Sequence, residues 1–280
     1  MITNGCLYIV GTPIGNPRDI TLRALDVLRE VDVIAAEDTR NTGRLLQHHG
    51  IRTRLISFQE HNEERRIPDL MERLGRGNTM ALVSDAGTPS VSDPGYRLVE
   101  AAIAAGVPVV PVPGPSAAVS ALSVAGLPTD AFCFAGFLPR KAARRQKALA
   151  GLANLPQTLI FYESPRRIVA TMQAMVPVFG DRRAVLAREM TKPYEEFVRG
   201  SLSQIAADLQ GRDTVRGECT LLVEGAGAPQ VSIERITEAL TAEMARGGQP
   251  ISAIARQVAR HLGVSRKTVY DQALRLKNNP

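Results

Sequence analysis

The chain has 280 residues, a length that corresponds to about two domains. Hydrophobic residues make up 44% and charged residues 22% of the sequence, which excludes a largely disordered protein. The sequence holds no apolar run of the ~18 residues needed to span a bilayer and no secretory signal, so we expect a cytoplasmic protein without a membrane partner.

The net charge of +6 is unevenly distributed along the chain. Residues 1–130 carry a net charge of −3, whereas residues 131–280 carry +9. A basic half beside a slightly acidic half indicates that one side of the molecule handles a polyanion. The three cysteines, Cys6, Cys133 and Cys219, are too far apart for a CxxC metal site, so we expect no metal and no disulfide framework.

Ten short apolar runs predict β-strands. In the first half they alternate with helix-like stretches, which predicts βαβ units and a parallel sheet covered on both faces. The strands of the second half come closer together near residues 184–198, which predicts a mixed sheet. The first five are Leu7–Val10, Val33–Ala36, Leu55–Phe58, Met80–Val83 and Val109–Val112. The second five are Phe132–Ala135, Leu159–Tyr162, Ala184–Ala187, Glu196–Val198 and Leu221–Val223.

Two clusters of Pro, Gly and Ser, at Val112–Ala117 and Gly126–Thr129, predict a domain boundary between the two series of strands. We therefore divide the chain into a first α/β domain, residues 1–118, and a second, residues 119–225. The stretch Gly225–Val231 is typical of a linker, and it leads to a small helical unit, residues 232–280.

Two amphipathic helices are predicted in this last unit. Ser265 is placed to cap the second helix after a turn at Gly263. The spacing of Ala255, Gly263 and Val269 is that of a helix-turn-helix, which alone indicates DNA binding; a purely structural helix pair is the alternative. The first helix carries Ile251, Ile254, Ala255, Val258 and Leu262, and the second carries Arg266, Lys267, Val269, Ala273 and Leu276.

The segment Gly11-Thr-Pro-Ile-Gly15-Asn16 follows the first predicted strand and precedes a helix. Its glycines allow a tight turn and a close approach of the backbone to a ligand. It departs from the GxGxxG pattern, and Pro13 removes an N–H donor, which weakens the case for a phosphate cradle. A generic turn between strand and helix is the alternative for this loop taken alone.

Two more loops follow the fourth and fifth strands, Ser84–Gly95 and Pro113–Ala117. The second ends where a helix is predicted to begin, at about Ser116. Asp85 is a candidate acceptor for a ribose hydroxyl or an amine, whereas Asp93 is a candidate cap of the next helix. Because ligands bind at the carboxyl ends of strands in open α/β sheets, the three loops predict one shared crevice.

Seven motifs carry a family resemblance that extends over about residues 5–225. They are GTPIGN (11–16), AAEDTR (35–40), SFQEHNE (57–63), SDAGTPSVSDPG (84–95), PGPSA (113–117), FYESPRR (161–167) and REMTKPYEE (188–196). The chain resembles the tetrapyrrole-methylase superfamily and, within it, the ribosomal RNA small-subunit methyltransferase I family. The motifs AEDTR, EHNE, FYESP and REMTK distinguish that family from precorrin and uroporphyrinogen methylases. Gln59 departs from the family pattern, where a histidine is expected.

The resemblance implies two αβα domains that bind S-adenosylmethionine, in a folded conformation, in the cleft between them. It also implies a homodimer, as is usual in the superfamily. The positions that match the cofactor-binding loops are Gly11, Pro13, Gly15, Asp85, Ala86, Pro89, Ser116, Ala117 and Tyr162.

The resemblance further implies methylation of a cytidine ribose 2′-oxygen in the decoding region of 16S rRNA. We expect the assembled small ribosomal subunit to be the substrate, because a bulky cleft that reads shape suits a formed RNA junction. In a protein with such methyltransferase domains, we expect the terminal helices to dock on rRNA, and we expect no DNA partner.

The reaction needs an acceptor for the proton of the ribose hydroxyl. His61 is one candidate, because it is the only histidine in a family motif and its ordinary pKa near 6.5 suits a base. Its alternative role is to order the loop before the next helix. Glu189 and Lys192 form the rival pair, for which a structural ion pair is the alternative. The sequence leaves the choice open.

A run of five positive charges in nine residues, within 139–147, follows the first strand of the second domain. A solvated helix face is the usual interpretation, but together with Arg166 and Arg167 the run predicts a patch that binds RNA phosphates. The EHNE motif adds two candidate substrate contacts, Glu60 and Asn62. The basic candidates are Arg140, Lys141, Arg144, Arg145 and Arg166.

Two other functions remain open. A precorrin- or porphyrin-type methyltransferase would keep the same cleft, but it does not explain the basic second half. A nucleic-acid-binding regulator would use the terminal helices, but the intact GTPIGN, SDAGTP and PGPSA loops argue against a decayed methylase body. An assay of methyl transfer distinguishes the three functions: RNA would be methylated by the first, a tetrapyrrole by the second and neither by the third.

Overall fold

The computed structural model describes residues 5–227, 233–246 and 249–278. Within these ranges the structure consists of two α/β units and a bundle of terminal helices. Residues 228–231 of the predicted linker, and the predicted start of the tail at residue 232, lie outside the described residues. In the described part of the chain, no helix is both long enough and apolar enough to cross a membrane.

The first sheet has five parallel strands in the order β3-β2-β4-β1-β5, as the alternation of strands and helices predicted. The strands are β1 (Cys6–Val10), β2 (Val33–Ala36), β3 (Leu55–Ser57), β4 (Thr79–Val83) and β5 (Val109–Val112). The helices between them are α1 (Leu22–Glu30), α2 (Thr39–His48), α3 (Glu63–Gly75) and α4 (Tyr96–Ala104). Helices α1 and α2 cover one face and α3 and α4 the other, so the short strands are apolar throughout.

The second sheet has the order β6-β7-β10-β8-β9, and only β6 and β7 pair in parallel. The predicted mixed sheet is therefore confirmed. The strands are β6 (Phe132–Phe137), β7 (Thr158–Glu163), β8 (Arg183–Arg188), β9 (Glu196–Ser201) and β10 (Cys219–Val223). The helices are α5 (Ala117–Ala125), α6 (Ala142–Leu152), α7 (Ile168–Phe179) and α8 (Leu202–Gln210).

Helix α5 connects the two units in sequence but packs on the second sheet. Its buried residues Ala121 and Leu122 lie in one apolar cluster with Ile160 of β7 and Leu222 of β10. Helices α6, α7 and α8 cover the opposite face. Ile14 of the first loop joins the α5 cluster, so apolar contact is continuous from the first unit into the second. The division of the chain at residue 118 stays a prediction.

The two predicted helices of the tail are confirmed, and a third precedes them. They are α9 (Ile233–Ala245), α10 (Ile251–Leu262) and α11 (Arg266–Asn278), and they share one small apolar core. Helix α10 ends at Gly263, whose φ of 65° is left-handed, as is common at a helix C-terminus. The Ser265 hydroxyl group accepts a hydrogen bond from the Thr268 N–H group at 3.1 Å, so Ser265 caps α11.

An ion-pair network holds the edge of the second sheet. Glu196 of β9 accepts hydrogen bonds from Arg212, after α8, at 2.8 Å and from Arg188 of β8 at 3.0 Å. The Arg212 guanidinium, assisted by Arg188, lowers the pKa of Glu196 to about 2.

Replacing this carboxylate should make stability less dependent on pH. A carboxyl group whose pKa is lowered on folding stabilises the native state above its ordinary pKa of 4.5, and this stabilisation is lost as the pH falls toward 2. Glu196→Gln should reduce the free energy of unfolding at pH 7 by about 1 kcal/mol, and the deficit should shrink below pH 4.5. Urea unfolding at several pH values measures both effects. The exposed Glu100 provides the control Glu100→Gln, which should change neither.

Candidate active site

The three predicted loops meet at the carboxyl edge of the first sheet. Thr12 and Gly87 form a two-bond bridge, in which the Thr12 N–H group donates to the Gly87 carbonyl at 2.8 Å and the Gly87 N–H group donates to the Thr12 carbonyl at 3.1 Å. The buried Thr12 hydroxyl group donates to the Ser84 carbonyl at 3.1 Å. This bridge fixes the first loop against the loop after β4.

The first loop is equally close to the loop after β5. A Cβ atom on Gly11 would lie 2.8 Å from the backbone of Gly114, and a Cβ atom on Gly114 would lie 2.8 Å from Gly11. Real side chains do not approach backbone atoms so closely, so both positions require glycine. The Gly11 of the cofactor prediction therefore serves the contact between loops.

Contacts from these loops to the second sheet build a cleft between the two units. The Asn16 N–H group donates to the Thr191 hydroxyl group at 3.0 Å, and the Ala118 N–H group donates to the Tyr162 hydroxyl group at 3.2 Å. A Cβ atom on Gly15 would lie 2.9 Å or less from Met190, Thr191 and Lys192, so Gly15 lets the REMTK loop approach the first loop.

The cleft contains two adjoining cavities that share the wall formed by Ile14, Ala86 and Glu218. The first has a volume of about 420 Å³, and its lining surface is mostly apolar. Volumes of about 300–1,000 Å³ are typical of small-molecule sites. The second has a volume of about 570 Å³ and is lined from both units, with Arg44 and His48 of α2 on one side and Lys192 on the other.

The predicted cofactor residues divide between these cavities. Residues Ala86, Ser116, Ala117 and Tyr162 line the first cavity. Residues Pro13, Gly15, Asp85 and Ala86 line the second. Gly11 and Pro89, both within the described part of the chain, line neither cavity.

Asp85 has a structural task that its position in the sequence did not reveal. One of its carboxylate oxygens accepts the Asp38 N–H group at 3.1 Å, and the other accepts the Asn41 amide at 3.0 Å. Asp38 is the N-cap residue of α2, so Asp85 fixes the start of that helix. Its proposed contact with a ribose or an amine stays a prediction.

Asp93 lines the first cavity, and the prediction that it caps the next helix is wrong. Helix α4 begins at Tyr96, its N-cap residue is Gly95, and no side chain caps it. Burial raises the pKa of Asp93 to about 6, the negative charges of Glu37 and Asp85 add to the shift, and a hydrogen bond from Ser84 opposes it. Sequence reasoning missed this residue because an Asp–Pro–Gly segment before a helix is typical of a cap.

Backbone strain accompanies the placement of Asp93. Ser90 and Ser92, which both precede it in the loop, have φ angles of 71° and 65°, which residues with a side chain rarely adopt. The Gly95 N–H group donates to the buried Glu63 carboxylate at 3.2 Å and anchors the loop to α3. Strain of this kind persists only where the surrounding structure enforces it, and it is common at functional sites.

The REMTK loop forms the ion pair that the sequence left as an alternative. The Lys192 ammonium group lies 2.9 Å from Glu189 and 3.0 Å from Glu218. Burial alone would lower the pKa of Lys192, but its hydrogen bonds to Glu189 and Glu218 outweigh that effect and raise it. Lys192 therefore stays protonated at neutral pH, which argues against it as the proton acceptor. The same hydrogen bond from Lys192 lowers the pKa of Glu189.

The EHNE segment lies elsewhere on the first unit. Glu60 and His61 are exposed and line a separate pocket beside Arg97, which is not part of either cleft cavity. The Asn62 side-chain oxygen accepts the Gln59 N–H group at 2.9 Å, so Asn62 orders its own loop. The structure does not bring His61 to the cleft cavities, and its catalytic role and the substrate contacts of Glu60 and Asn62 stay predictions.

The basic run begins at the rim of the cleft. Phe137, at the end of β6, lines the first cavity, and α6 starts five residues later with its basic side chains largely exposed. Within the described residues, no ion pair involves these side chains or the exposed Arg166. They are Arg140, Lys141, Arg144, Arg145 and Lys147.

Arg167, in contrast, is not available for a ligand, which corrects our expectation from the FYESPRR motif. Its guanidinium lies 3.1 Å from the buried Glu163 carboxylate and donates to the Leu138 carbonyl at 2.9 Å. Arg167 therefore joins the end of β7 to the segment after β6, and of the two arginines Arg166 is the more exposed.

Known proteins are similar to this chain over nearly its whole length. A family model of tetrapyrrole (corrin/porphyrin) methylases matches residues 6–206. "Ribosomal RNA small subunit methyltransferase I" of Micromonospora olivasterospora is 50% identical over 270 residues, covering 96% of this chain and 86% of that protein. The protein of the same name from Escherichia coli O157:H7 is 46% identical over 275 residues, 97% of this chain and 96% of that protein. The chain belongs to the ribosomal RNA small subunit methyltransferase I family of tetrapyrrole methylases.

Solved structures of other methyltransferases confirm the fold. The methyltransferase CobJ has a TM-score of 0.61 at 21% identity and covers 81% of this chain and 97% of its own. Uroporphyrin-III C-methyl transferase from Thermus thermophilus, complexed with S-adenyl homocysteine, has a TM-score of 0.58 at 21% identity. The match covers 79% of this chain and 97% of that one. At these identities the likeness is one of fold alone.

Gly15→Ala should destabilise this methyltransferase, because the added methyl group would push the REMTK loop away from the first loop. We expect a loss of about 1–3 kcal/mol in the free energy of unfolding, measured in urea. Gly75→Ala is the matched control, because a Cβ atom at Gly75 meets nothing within 4 Å and the helix end gains up to about 1 kcal/mol. Equal stability of the two variants would contradict the tight contact at Gly15.

Proposed function

We propose that the protein transfers a methyl group from S-adenosylmethionine to the 2′-oxygen of a cytidine ribose in the decoding region of 16S rRNA. The observation that carries the proposal is the combination of a two-cavity cleft with an unpaired basic run at its rim, in a chain 46–50% identical to proteins named for rRNA methylation. The family relationship favours rRNA over a tetrapyrrole or DNA.

The residues of the first cavity fit S-adenosylmethionine. Its apolar walls suit the adenine ring and the methylene groups, while Ser116 and Thr88 offer hydrogen bonds. The Asp93 carboxylate offers a negative charge beside a cationic sulfonium. When bound, S-adenosylmethionine supplies a methyl group that its positive sulfur already activates for transfer. Ala86, Ser116, Ala117, Tyr162 and Met190 would hold it.

The second cavity is the place we propose for the acceptor nucleotide. It adjoins the first cavity at Ile14, Ala86 and Glu218, so groups held in the two cavities can face each other. Arg44 and His48 lie one helical turn apart on α2 and offer positive or hydrogen-bonding groups to the nucleotide. Holding the two reactants in this orientation supplies much of the rate enhancement, because positioning replaces a random encounter.

The basic run positions the RNA. Phosphate contacts from arginine and lysine fix the register of an RNA without reading its sequence, and a base splayed out of its helix can then enter the cleft. The exposed Arg166, which follows the cavity-lining residues Ser164 and Pro165, extends the patch. We propose that the assembled small subunit is the substrate, that the terminal helices dock on its rRNA, and that the protein acts in the cytoplasm as a homodimer.

Methyl transfer from labelled S-adenosylmethionine tests the reaction. We would offer, separately, small subunits lacking the modification, naked 16S rRNA, duplex DNA and a tetrapyrrole, and identify labelled nucleosides by mass. Label in 2′-O-methylcytidine from either RNA sample supports the proposal, and more label from the subunits supports the assembled substrate. Label only in the tetrapyrrole, or no label at all, would contradict it.

The double charge reversal Arg144→Glu with Arg145→Glu tests the RNA patch. It should weaken binding to small subunits by at least 10-fold and flatten its dependence on salt, because fewer counterions are released. Affinity for S-adenosylmethionine should not change. Arg23→Glu with Arg52→Glu is the matched control, since it changes the charge equally at exposed arginines of the first unit. If both variants lost the same affinity for small subunits, the effect would come from net charge and not from a specific RNA patch.

A further inference from the structure

Five groups that can exchange a proton line the first cavity, and most of them are engaged in other contacts. They are Asp93, Tyr162, Glu163, Glu218 and Cys219. The Glu163 carboxylate pairs with Arg167 and accepts the Thr171 hydroxyl group at 2.8 Å. Glu218 pairs with Lys192. Burial raises the pKa of the Cys219 thiol to about 12, so it stays protonated and cannot accept a proton at neutral pH.

Tyr162 is committed as well. Its hydroxyl oxygen accepts the Ala118 N–H group, and burial raises its pKa above the ordinary value. A protonated phenol with a raised pKa is a poor proton acceptor. Asp93 is left as the one carboxylate lining this cavity that has no cationic partner among the described residues.

Asp93 of the first cavity also lies close to residues of the second. It lines the first cavity, whereas Ser84, which is close enough to lower the pKa of Asp93, lines the second. Asp85, the residue after Ser84, also lines the second cavity and is close enough to act on the Asp93 charge. Asp93 therefore lines the cavity proposed for the methyl donor and lies beside residues of the cavity proposed for the acceptor nucleotide.

We infer that Asp93 is the proton acceptor of the methyl transfer, an inference that rests on the proposed function. The O–H bond of the ribose 2′-hydroxyl group breaks and its proton passes to a carboxylate oxygen of Asp93. The 2′-oxygen forms a bond to the methyl carbon, and the electron pair of the broken carbon–sulfur bond remains on sulfur, which becomes a neutral thioether. Charge and atoms balance without a further reactant.

The surroundings of Asp93 suit this task. Glu37, after β2, and Asp85, after β4, place negative charge near it, and Tyr162 of β7 faces it across the cavity. Their charges and the partly buried position favour the protonated form of Asp93, so the carboxylate takes up a proton more readily than an exposed one. At neutral pH most Asp93 side chains are still ionised and ready to accept.

The test compares wild type, Asp93→Asn and Asp93→Glu on small subunits that lack the modification, with 2′-O-methylcytidine as the readout. Asp93→Asn should lower kcat by roughly 10²–10⁴-fold. Affinity for S-adenosylmethionine, measured by calorimetry, should fall far less than kcat, by less than about 10-fold, because Glu37 and Asp85 still supply negative charge nearby. Retained binding also shows that the variant is folded. Asp93→Glu should restore part of kcat, because it returns a carboxylate to the cavity.

The pH profile gives a readout that a merely structural role would not move. The wild-type rate should fall below a pH of about 6, where Asp93 becomes protonated, and Asp93→Asn should lack this acidic limb. Glu37→Gln removes a neighbouring negative charge, so it should shift the acidic limb to lower pH while leaving methylation measurable.

Three outcomes would overturn the inference. Wild-type kcat in Asp93→Asn shows that another group accepts the proton. If Asp93→Asn binds S-adenosylmethionine much more weakly but keeps the wild-type kcat when S-adenosylmethionine is saturating, Asp93 serves to bind the donor and not to accept the proton. If wild-type protein forms no 2′-O-methylcytidine, the proposed function fails and the inference fails with it, whereas methylation by wild type and Asp93→Asn alike overturns the inference alone.

Discussion

The close contact between the backbones of Gly11 and Gly114, together with the Thr12–Gly87 bridge, is the constraint on which the cleft depends. It brings the ends of β1, β4 and β5 to one point at the edge of the first sheet. Because Ile14 then reaches the apolar cluster around α5, the same contact sets the first unit against the second. Two shared cavities result from a single meeting of loops, and a side chain at either glycine would separate their walls.

Much of the fold was predictable from the sequence because both sheets are buried. The runs Val33–Ala36 and Val109–Val112 end where the predicted strands end, since a strand covered on both faces is apolar along its whole length. Helix α5 shows the limit of such reasoning, because its small apolar residues fit either unit and only tertiary packing assigns them to the second sheet. Helix α9 follows the linker without a recognised start signal, and it was missed.

The sequence predicted which loops form the candidate site, but not the role of each residue in them. The sequence identified Ala86, Ser116, Ala117 and Tyr162, which line one cavity, because glycine- and proline-rich loops at strand ends mark the ligand edge. It assigned Asp85 to a ligand and Asp93, eight positions later in the same loop, to a helix cap, whereas the structure places Asp93 in the cavity lining and gives α4 no side-chain cap. Their difference arises from the first turn of α2, which occupies the Asp85 carboxylate, and from the strained turn that directs Asp93 into the cavity. A histidine in a motif drew attention to His61, yet the fold places it in another pocket.

The signs of charge are separated in a way that agrees with these roles. Carboxylates gather at the cleft, where Asp93 and Asp85 line the two cavities and Glu37 lies beside them, whereas the unpaired basic side chains lie at its rim. Phosphates of a polyanion are therefore attracted to the rim and repelled from the interior, so an RNA is held by its backbone while an uncharged hydroxyl group enters. The same interior favours a cationic sulfonium over the neutral thioether formed by transfer, because only the former is attracted to the carboxylates. Acidic interior and basic rim thus act together, one selecting the donor over its product and the other orienting the acceptor.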